Sequence, residues 1–479
     1  MLNLNTIDSS LHTDIIISGI QNNSKNIKKG DLFVAIKGSD KNGVNFINEA
    51  IDLGASAVLT SDKTLNVSDY RVPIIIDENP RKKLSEISKL FFPNTPEIIC
   101  GVTGTNGKTS TVEFLYQIWT LLNINAARIG TLGVKSKEID IKTKNTTPDP
   151  IDLHKIMNEL SLSGVSHLAL EVSSHAIDQS RVNSINFNSA CFTNLSLDHL
   201  DYHNSLENYS NTKFSLFKNI LPLHGTSVIC IEGKEGKNLS KELKLLNKKT
   251  MEIGKNAEFI NIESIKKCKK GKEIKITFKG EPFSFILGFD PYFQILNVLC
   301  AAGLAITSGC NYKKVFSVLD KIKPVKGRYE LVKSHNHSDI IIDYAHTPEA
   351  LSNVLQDIKK ETIGKIILVF GCGGDRDKSK RPLMGKVAKK YCDEIIITND
   401  NPRDEDPAII ANQILKGCPG ARIIHDRGEA IKFGISKIKN NDVLLIAGKG
   451  HEEFQITGNH KIPFSDRDVI ESFFEAPNE

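Results

Sequence analysis

Residues 97–115 read EIICGVTGTNGKTSTVEFL. The apolar run from Glu97 to Val102 has the length and β-branched content of a buried strand. It leads directly into Thr103-Gly104-Thr105-Asn106-Gly107-Lys108-Thr109-Ser110, and a helical segment follows from Ser110 to Leu122. A strand, a glycine-bearing turn and a helix in that order aim backbone N–H groups and the positive helix end at a polyphosphate. Gly104 and Gly107 allow close backbone approach, Lys108 would neutralise β/γ oxygens, and Thr109 offers a hydroxyl to Mg²⁺. Val102 stands where the strict GxxxxGK[ST] spacing has its first glycine. The strand–loop–helix context still favours nucleotide binding over an ordinary turn. By itself the loop says only ATP or GTP.

Working outward, strands are expected at Leu168 to Val172 and Ser189 to Thr193, and a buried helix at Phe293 to Ile306. Before the loop, Leu32 to Ile36, Ala57 to Thr60 and Val72 to Ile76 read as strands. Between the first two lies a helix with Phe46, Ala50 and Leu53 on one face. Two prolines in Phe91-Phe92-Pro93-Asn94-Thr95-Pro96 mark a linker. Beyond Lys323-Pro324, strands at Asp339 to Asp343, Lys365 to Phe370, Glu394 to Thr398 and Asp442 to Ala447 alternate with helices. That alternation implies parallel sheets with crossover helices. The lysine-rich segment from Lys234 to Lys279 reads as the solvated face of a small sheet. Three α/β domains are expected: 1–95, 96–323 and 324–479.

The chain has 479 residues, 40% of them apolar and 25% charged, with 62 Lys and Arg against 57 Asp and Glu. A net charge of +5 over this length gives no argument for nucleic acid. No run approaches the roughly 18 apolar residues of a membrane span, and no signal peptide is visible. Nine cysteines, odd in number and without CxxC spacing, argue for reduced thiols in a cytoplasmic chain.

Two further clusters carry chemistry. Glu171 ends an apolar strand, where a carboxylate points into the crevice of a parallel α/β sheet. Its chemistry suits a Mg²⁺ ligand, and a helix cap is the alternative. Directly after the next strand, FTNLSLDHLDYH (192–203) packs two histidines and two aspartates into six positions. Mg²⁺ prefers oxygen ligands, so one histidine among them would be unusual.

These residues together resemble the Mur ligase family. Its motifs occur in the family's order: TGTNGKTS at 103–110, NTTPD at 145–149, EVSSHAIDQSRV at 171–182, FTNLSLDHLDYH at 192–203, YSNTK at 209–213, GRYE at 327–330, DYAHTPEAL at 343–351, GCGGDRDKSKRPLMG at 371–385, DNPRDEDP at 400–407 and AGKGHE at 447–452. The resemblance implies an α/β, three-domain Mur ligase architecture. It has an N-terminal UDP-substrate-binding domain, a central P-loop-type ATPase domain and a Rossmann-like C-terminal domain that binds an amino acid. It also implies a reaction in which ATP phosphorylates a carboxylate of a UDP-linked muramyl peptide and an amine displaces the phosphate. Phosphorylation makes a poor electrophile reactive, and Mg²⁺ with Lys108 offsets the charge.

Carried over residue by residue, Gly104, Thr105, Asn106, Gly107, Lys108, Thr109, Asn297, Arg328 and Asp343 would bind ATP, with Asn297 on the adenine side. Thr109 and Glu171 would ligate one Mg²⁺ and His199 a second. Lys213 matches the lysine that the family carbamylates with CO₂; a carbamate offers the anionic oxygens that a bare ammonium lacks. Lys108, His199 and Lys213 are thus the catalytic expectations. Asn145, Thr146, Thr147, Ser173, Gln179 and Arg181 would grip UDP-N-acetylmuramoyl-L-alanyl-D-glutamate. In the first domain only Ser24 of the Gln21-to-Lys25 stretch is retained, while Gly30 to Ala35 and Gly38 to Gly43 do fit.

The string Asp400-Asn401-Pro402-Arg403 resembles that of the members that add meso-diaminopimelate. A guanidinium can pair with a distal carboxylate in two-pronged fashion. Arg376, Gly448 and Glu452 would complete that site, with Glu452 on the distal ammonium. A relative adding L-lysine or another amino acid, one using a folate-like acceptor, and a non-catalytic nucleotide-binding module are the alternatives. The expected partners are ATP, the UDP-muramyl dipeptide and meso-diaminopimelate, with no nucleic acid, no membrane insertion and a monomeric chain.

Overall fold

The computed structural model describes every residue except 12, 39–40, 290, 336 and 476–479. The side chains of residues 200, 201 and 335 are likewise not described. Ser39 and Asp40 of the Gly38-to-Gly43 segment therefore lie outside the described residues, as does the Asp201 side chain.

Near the N-terminus, Gly19–Gln21, Asp31–Ala35, Ala57–Thr60 and Ile74–Ile76 form a four-stranded parallel sheet in sequence order. Strand alternation sends Leu32, Val34 and Leu59 into one core and Phe33, Ala35 and Val58 into another on the opposite face. The helix expected around Phe46 is shorter than its spacing suggested. It runs Ile47–Asp52, buries Ile47, Ala50 and Ile51, and leaves Leu53 at its C-cap 48% exposed. The helix Pro80–Phe91 starts at a proline and an Asn79 side-chain cap, then packs on Pro150–Leu162 of the central unit. There Ser85 Oγ lies 2.6 Å from Ser184 Oγ.

The strand Ile98–Thr103 is central in an 11-stranded sheet, with parallel neighbours His167–Glu171 and Ser189–Phe192. Its residues alternate between two cores. Cys100 and Val102 face Trp119 and Val298, whereas Ile99 faces Leu153 and Met157. The helix Lys108–Leu121 begins two residues earlier than its sequence pattern suggested, because Gly107 at φ 86° supplies the turn into it. The apolar helix Tyr292–Thr307 packs against it inside the fold. No helix among the described residues is long and apolar enough to cross a membrane.

The lysine-rich segment is not simply sheet. Lys234–Leu245 is a helix that buries Leu239 and Leu243 and turns its lysines outward. Strands follow at Lys249–Gly254, Ile260–Cys268 and Gly271–Phe278, and Glu281–Leu287 closes the edge in an antiparallel meander.

The C-terminal part is a six-stranded sheet in the order Glu330–His335, Ser338–Asp343, Val443–Ala447, Ile366–Phe370, Glu394–Ile397, Arg422–Ile423. Only its first pair is antiparallel. The loops carrying Asp343, Arg376, Asp400 to Arg403 and Gly448 to Glu452 all follow carboxyl ends of parallel strands, the edge at which such sheets bind ligands.

Candidate active site

The phosphate loop is braced from the neighbouring strand end. Thr105 N–H donates to the Asn194 carbonyl at 2.9 Å, Asn106 N–H to Asn194 Oδ1 at 3.0 Å, and Thr193 Oγ1 to the Asn106 carbonyl at 2.6 Å. A Cβ on Gly104 would stand 2.0 Å from Thr193 Oγ1, and one on Gly107 would stand 2.4 Å from Asn297 Oδ1. Both glycines are therefore required by close approach. Lys108 folds back over the loop and donates to the carbonyls of Gly104 and Thr105, each at 2.8 Å. Burial lowers its pKa, and Glu171 and Asp198 oppose that shift. A helix N-terminus contributes only about 0.3–1 kcal/mol toward an anion, so the cations must hold most of a triphosphate's charge.

Glu171 is 1% exposed. Its Oε2 accepts from Thr109 Oγ1 and Thr131 Oγ1 at 3.1 Å each, and its Oε1 from Thr131 N–H at 2.8 Å. Paired hydroxyl and carboxylate oxygens at the loop fit Mg²⁺, a hard cation. Among the described residues no cluster of three or more His, Cys, Asp or Glu side chains is arranged to hold a metal.

Lys213 lies 1% exposed on the helix Leu206–Ser215. Its Nζ donates to the Gly104 carbonyl at 2.9 Å and stands 4.4 Å from the centre of the Tyr209 ring. Burial, reinforced by the charge of Lys108 and opposed by Asp198, holds its amine well below the ordinary lysine range. His199 has a left-handed backbone (φ 54°) and its Nε2 is 3.5 Å from Asp198 Oδ2. Burial, against Asp198 and aided by His175, Lys108 and Lys213, holds its pKa down to about 3.

Asn297, expected beside adenine, packs against Gly107. Its Nδ2 donates to Gln294 Oε1 at 3.1 Å. Arg328 reaches over from the C-terminal part. Its Nη2 is 3.3 Å from Thr109 Oγ1, its guanidinium lies 4.2 Å from the Tyr344 ring centre, and its Nη1 is 3.4 Å from His451 Nδ1. A guanidinium only donates, so Nδ1 is the acceptor and the neutral His451 ring carries its proton on Nε2. Asp343 accepts from the N–H groups of Tyr329 and Ala345 at 2.6 and 2.7 Å, and burial pushes its carboxyl up to about 6. Asn106, Gly107, Asn297, Arg328, Asp343 and Tyr344 line one cavity of about 390 Å³.

The second group gathers next to Glu171. Thr147 Oγ1 donates to the Glu171 carbonyl at 2.7 Å and accepts from Ser173 N–H at 3.1 Å. Arg181 donates to the Thr147 carbonyl and to Gln179 Oε1, each at 2.7 Å. Thr146 Oγ1 is 3.1 Å from Thr131 Oγ1. Ser24 stands apart from them: it is buried in the first domain and donates to Glu49 Oε2 at 2.8 Å.

The third group also converges. Arg403, at φ 52°, donates to the Gly374 carbonyl at 2.7 Å. Burial lowers its pKa, and the nearby Arg376 guanidinium adds to that. Asn401 Nδ2 donates to Glu452 Oε2 at 2.9 Å, and a Cβ on Gly448 would stand 2.7 Å from Asp400 Oδ2. The Pro402 carbonyl crowds Gly374, where a Cβ would stand 1.8 Å from it, so the two loops approach closely only because residue 374 is glycine. Asn145, Thr146, Tyr344, His451 and Glu452 border a second cavity of about 1260 Å³.

Several contributors were missed in the sequence. Asn194 lies within FTNLSLDHLDYH, where the reading went to the histidines and aspartates, and Thr131 follows a short strand. Tyr344, which borders both cavities, and His451 lie within DYAHTP and AGKGHE, where motif reading stopped at the neighbouring residues.

Comparison with known proteins agrees with this layout. Residues 16–92 match the model "Mur ligase family, catalytic domain", 102–305 "Mur ligase middle domain" and 327–450 "Mur ligase, glutamate ligase domain". A Rickettsia bellii protein named UDP-N-acetylmuramoyl-L-alanyl-D-glutamate--2,6-diaminopimelate ligase is 40% identical over 468 residues, covering 96% of each chain. The protein of that name from Rhizobium meliloti is 39% identical over 453 residues, covering 94% of this chain and 93% of its own. A solved structure bearing the same name superposes with a TM-score of 0.70 at 27% identity, over 100% of this chain and 99% of the other. The MurF ligase of Thermotoga maritima with ADP shares the fold, with a TM-score of 0.62 at 20% identity over 97% and 98% of the chains. With family models spanning most of its length, this chain belongs to the Mur ligase family.

Proposed function

We propose that this chain is an ATP-dependent ligase that joins meso-2,6-diaminopimelate to UDP-N-acetylmuramoyl-L-alanyl-D-glutamate in peptidoglycan precursor synthesis. The observation that carries this reading is that Tyr344 borders two cavities. One is lined by the phosphate loop, and the other by Asn145 and Thr146 on one side and Glu452 on the other. Acid activation and amine attack need that adjacency.

The acceptor's free carboxylate attacks the γ-phosphorus of ATP, giving an acyl phosphate and ADP. The amine then adds to the acyl carbon, loses a proton, and the tetrahedral centre expels inorganic phosphate. Lys108, Arg328 and the loop amides offset charge on the transferred phosphoryl group. Thr109 and Glu171 would hold Mg²⁺, with His199 and a carbamylated Lys213 at a second such ion; these cations supply further charge neutralisation. Burial lowers the pKa of the Lys213 amine and so favours the free base, the form that adds to CO₂, which supports Lys213 as the modified residue. Thr147, Ser173, Gln179 and Arg181 grip the muramyl peptide, and Arg376, Asp400 and Arg403 the distal end of the amino acid. Domain boundaries at 95 and 323, a cytoplasmic location and a monomeric state belong to the same proposal.

Phosphate release from ATP tests it. Release should require both the UDP-muramyl dipeptide and meso-diaminopimelate. Release that is independent of the dipeptide would refute the reading.

A further inference from the structure

Lys449 is fully buried (0% exposed) in the turn after the strand Val443–Ala447. Its two hydrogen bonds both go to side chains of the amino-acid site. Nζ donates to Asn401 Oδ1 at 3.1 Å and to Glu452 Oε2 at 2.9 Å. Asn401 Nδ2 donates to the same Glu452 Oε2 at 2.9 Å. The three side chains therefore close a triangle in which each bonds the other two.

The triangle fixes atoms as well as residues. Asn401 Oδ1 also accepts from Ile456 N–H at 2.9 Å, so both its lone pairs are used and its amide has one orientation. Glu452 Oε2 receives two donors, one of them charged. No described residue donates to Glu452 Oε1, and the Glu452 side chain, 20% exposed, borders the large cavity. Asn401 and Glu452 come from different loops, after Glu394–Ile397 and Val443–Ala447, and Lys449 joins them.

Resting on the ligase reading above, we propose that Lys449 is the positioning residue of the amino-acid site. It pins Oε2 of Glu452 so that Oε1 alone meets the distal ammonium of the incoming amino acid. Asn401 then acts through Glu452 more than on the substrate. A buried ammonium is costly unless it is paired. Here it is paired with Oε2 of Glu452, which leaves free the oxygen that the substrate needs.

Steady-state kinetics of the full chain test this with Lys449→Met, Glu452→Gln and the double variant. Lys449→Met is expected to raise the KM for meso-diaminopimelate by roughly tenfold or more, the loss of a charged hydrogen bond, with the KM values for ATP and the UDP-muramyl dipeptide moving less than about twofold. In the Glu452→Gln background the same change should add less than about twofold, because coupled residues are non-additive. Lys449→Gln, neutral and one atom shorter, should show the same pattern at smaller size and serves if Lys449→Met does not fold. An unmoved KM for diaminopimelate, an equal rise in all three KM values, or full additivity would overturn the proposal. Wild-type protein without diaminopimelate-dependent phosphate release would instead refute the ligase reading.

Discussion

Arg328 places Nη2 3.3 Å from Oγ1 of Thr109, so a guanidinium from the C-terminal part touches the first helical turn of the phosphate loop. Its position is set by the Tyr344 ring 4.2 Å beneath it. Arg328→Ala is expected to lower kcat/KM for ATP by about 10²- to 10³-fold, the usual cost of losing a donor to developing charge. Arg328→Lys should recover little, because an ammonium has neither the fork nor the stacking face. Steady-state kinetics at saturating acceptor check both.

Gly130 faces the carboxylate of Glu171: a Cβ there would stand 2.1 Å from Oε1. Gly130→Ala should push Glu171 off Thr109 while leaving every oxygen donor in the chain. The Mg²⁺ concentration for half-maximal rate is expected to rise severalfold, as it should in Glu171→Gln. A Mg²⁺ titration of phosphate release reads this directly.

Lys213 contributes through CO₂ if its amine is carbamylated. Its pKa is lowered, so the free-base form is present at lower pH than for an ordinary lysine. Activity should fall in CO₂-depleted buffer and return with added bicarbonate. Lys213→Ala should be inactive in both. Intact-protein mass under non-acidic conditions checks the modification.

Asp343 links stability to pH. Burial raises its carboxyl from 3.8 to about 6, against the pull of Arg328 and two N–H donors. Between those values the folded chain holds a proton that the unfolded chain has lost. Its contribution is therefore complete below the unfolded pKa and is lost as pH rises through about 6. Asp343→Asn should lower the melting temperature overall, since an amide oxygen cannot serve both N–H groups. The same variant should flatten the decline between about pH 4 and 6. Thermal melts across that range check the slope.

Much of the fold was legible because single elements carry strong signals. The run Ile98–Thr103 before Gly104 is buried on both faces, and such strands read as unbroken apolar runs. The Lys234–Leu245 helix was not legible, because its apolar face is only Leu239 and Leu243 among many lysines. The motif residues Thr109, Glu171 and Lys213 do meet at one loop. Ser24 does not join them, and Asn297 abuts Gly107. Thr131, Asn194, Lys449 and His451 escaped notice because they act by supporting a neighbour. That relation exists only once separate loops are folded together.

Arg403, with Arg376 beside it, is the proposed reader of the distal carboxylate. A site built around a polar group can reject the analogue lacking it by ~10⁴-fold. The product mass from ATP, the UDP-muramyl dipeptide and an equimolar mixture of meso-diaminopimelate and L-lysine tests this account most directly. The expected result is a single product carrying diaminopimelate, with Arg403→Ala abolishing the preference. A product carrying lysine, or no coupled product at all, would contradict it.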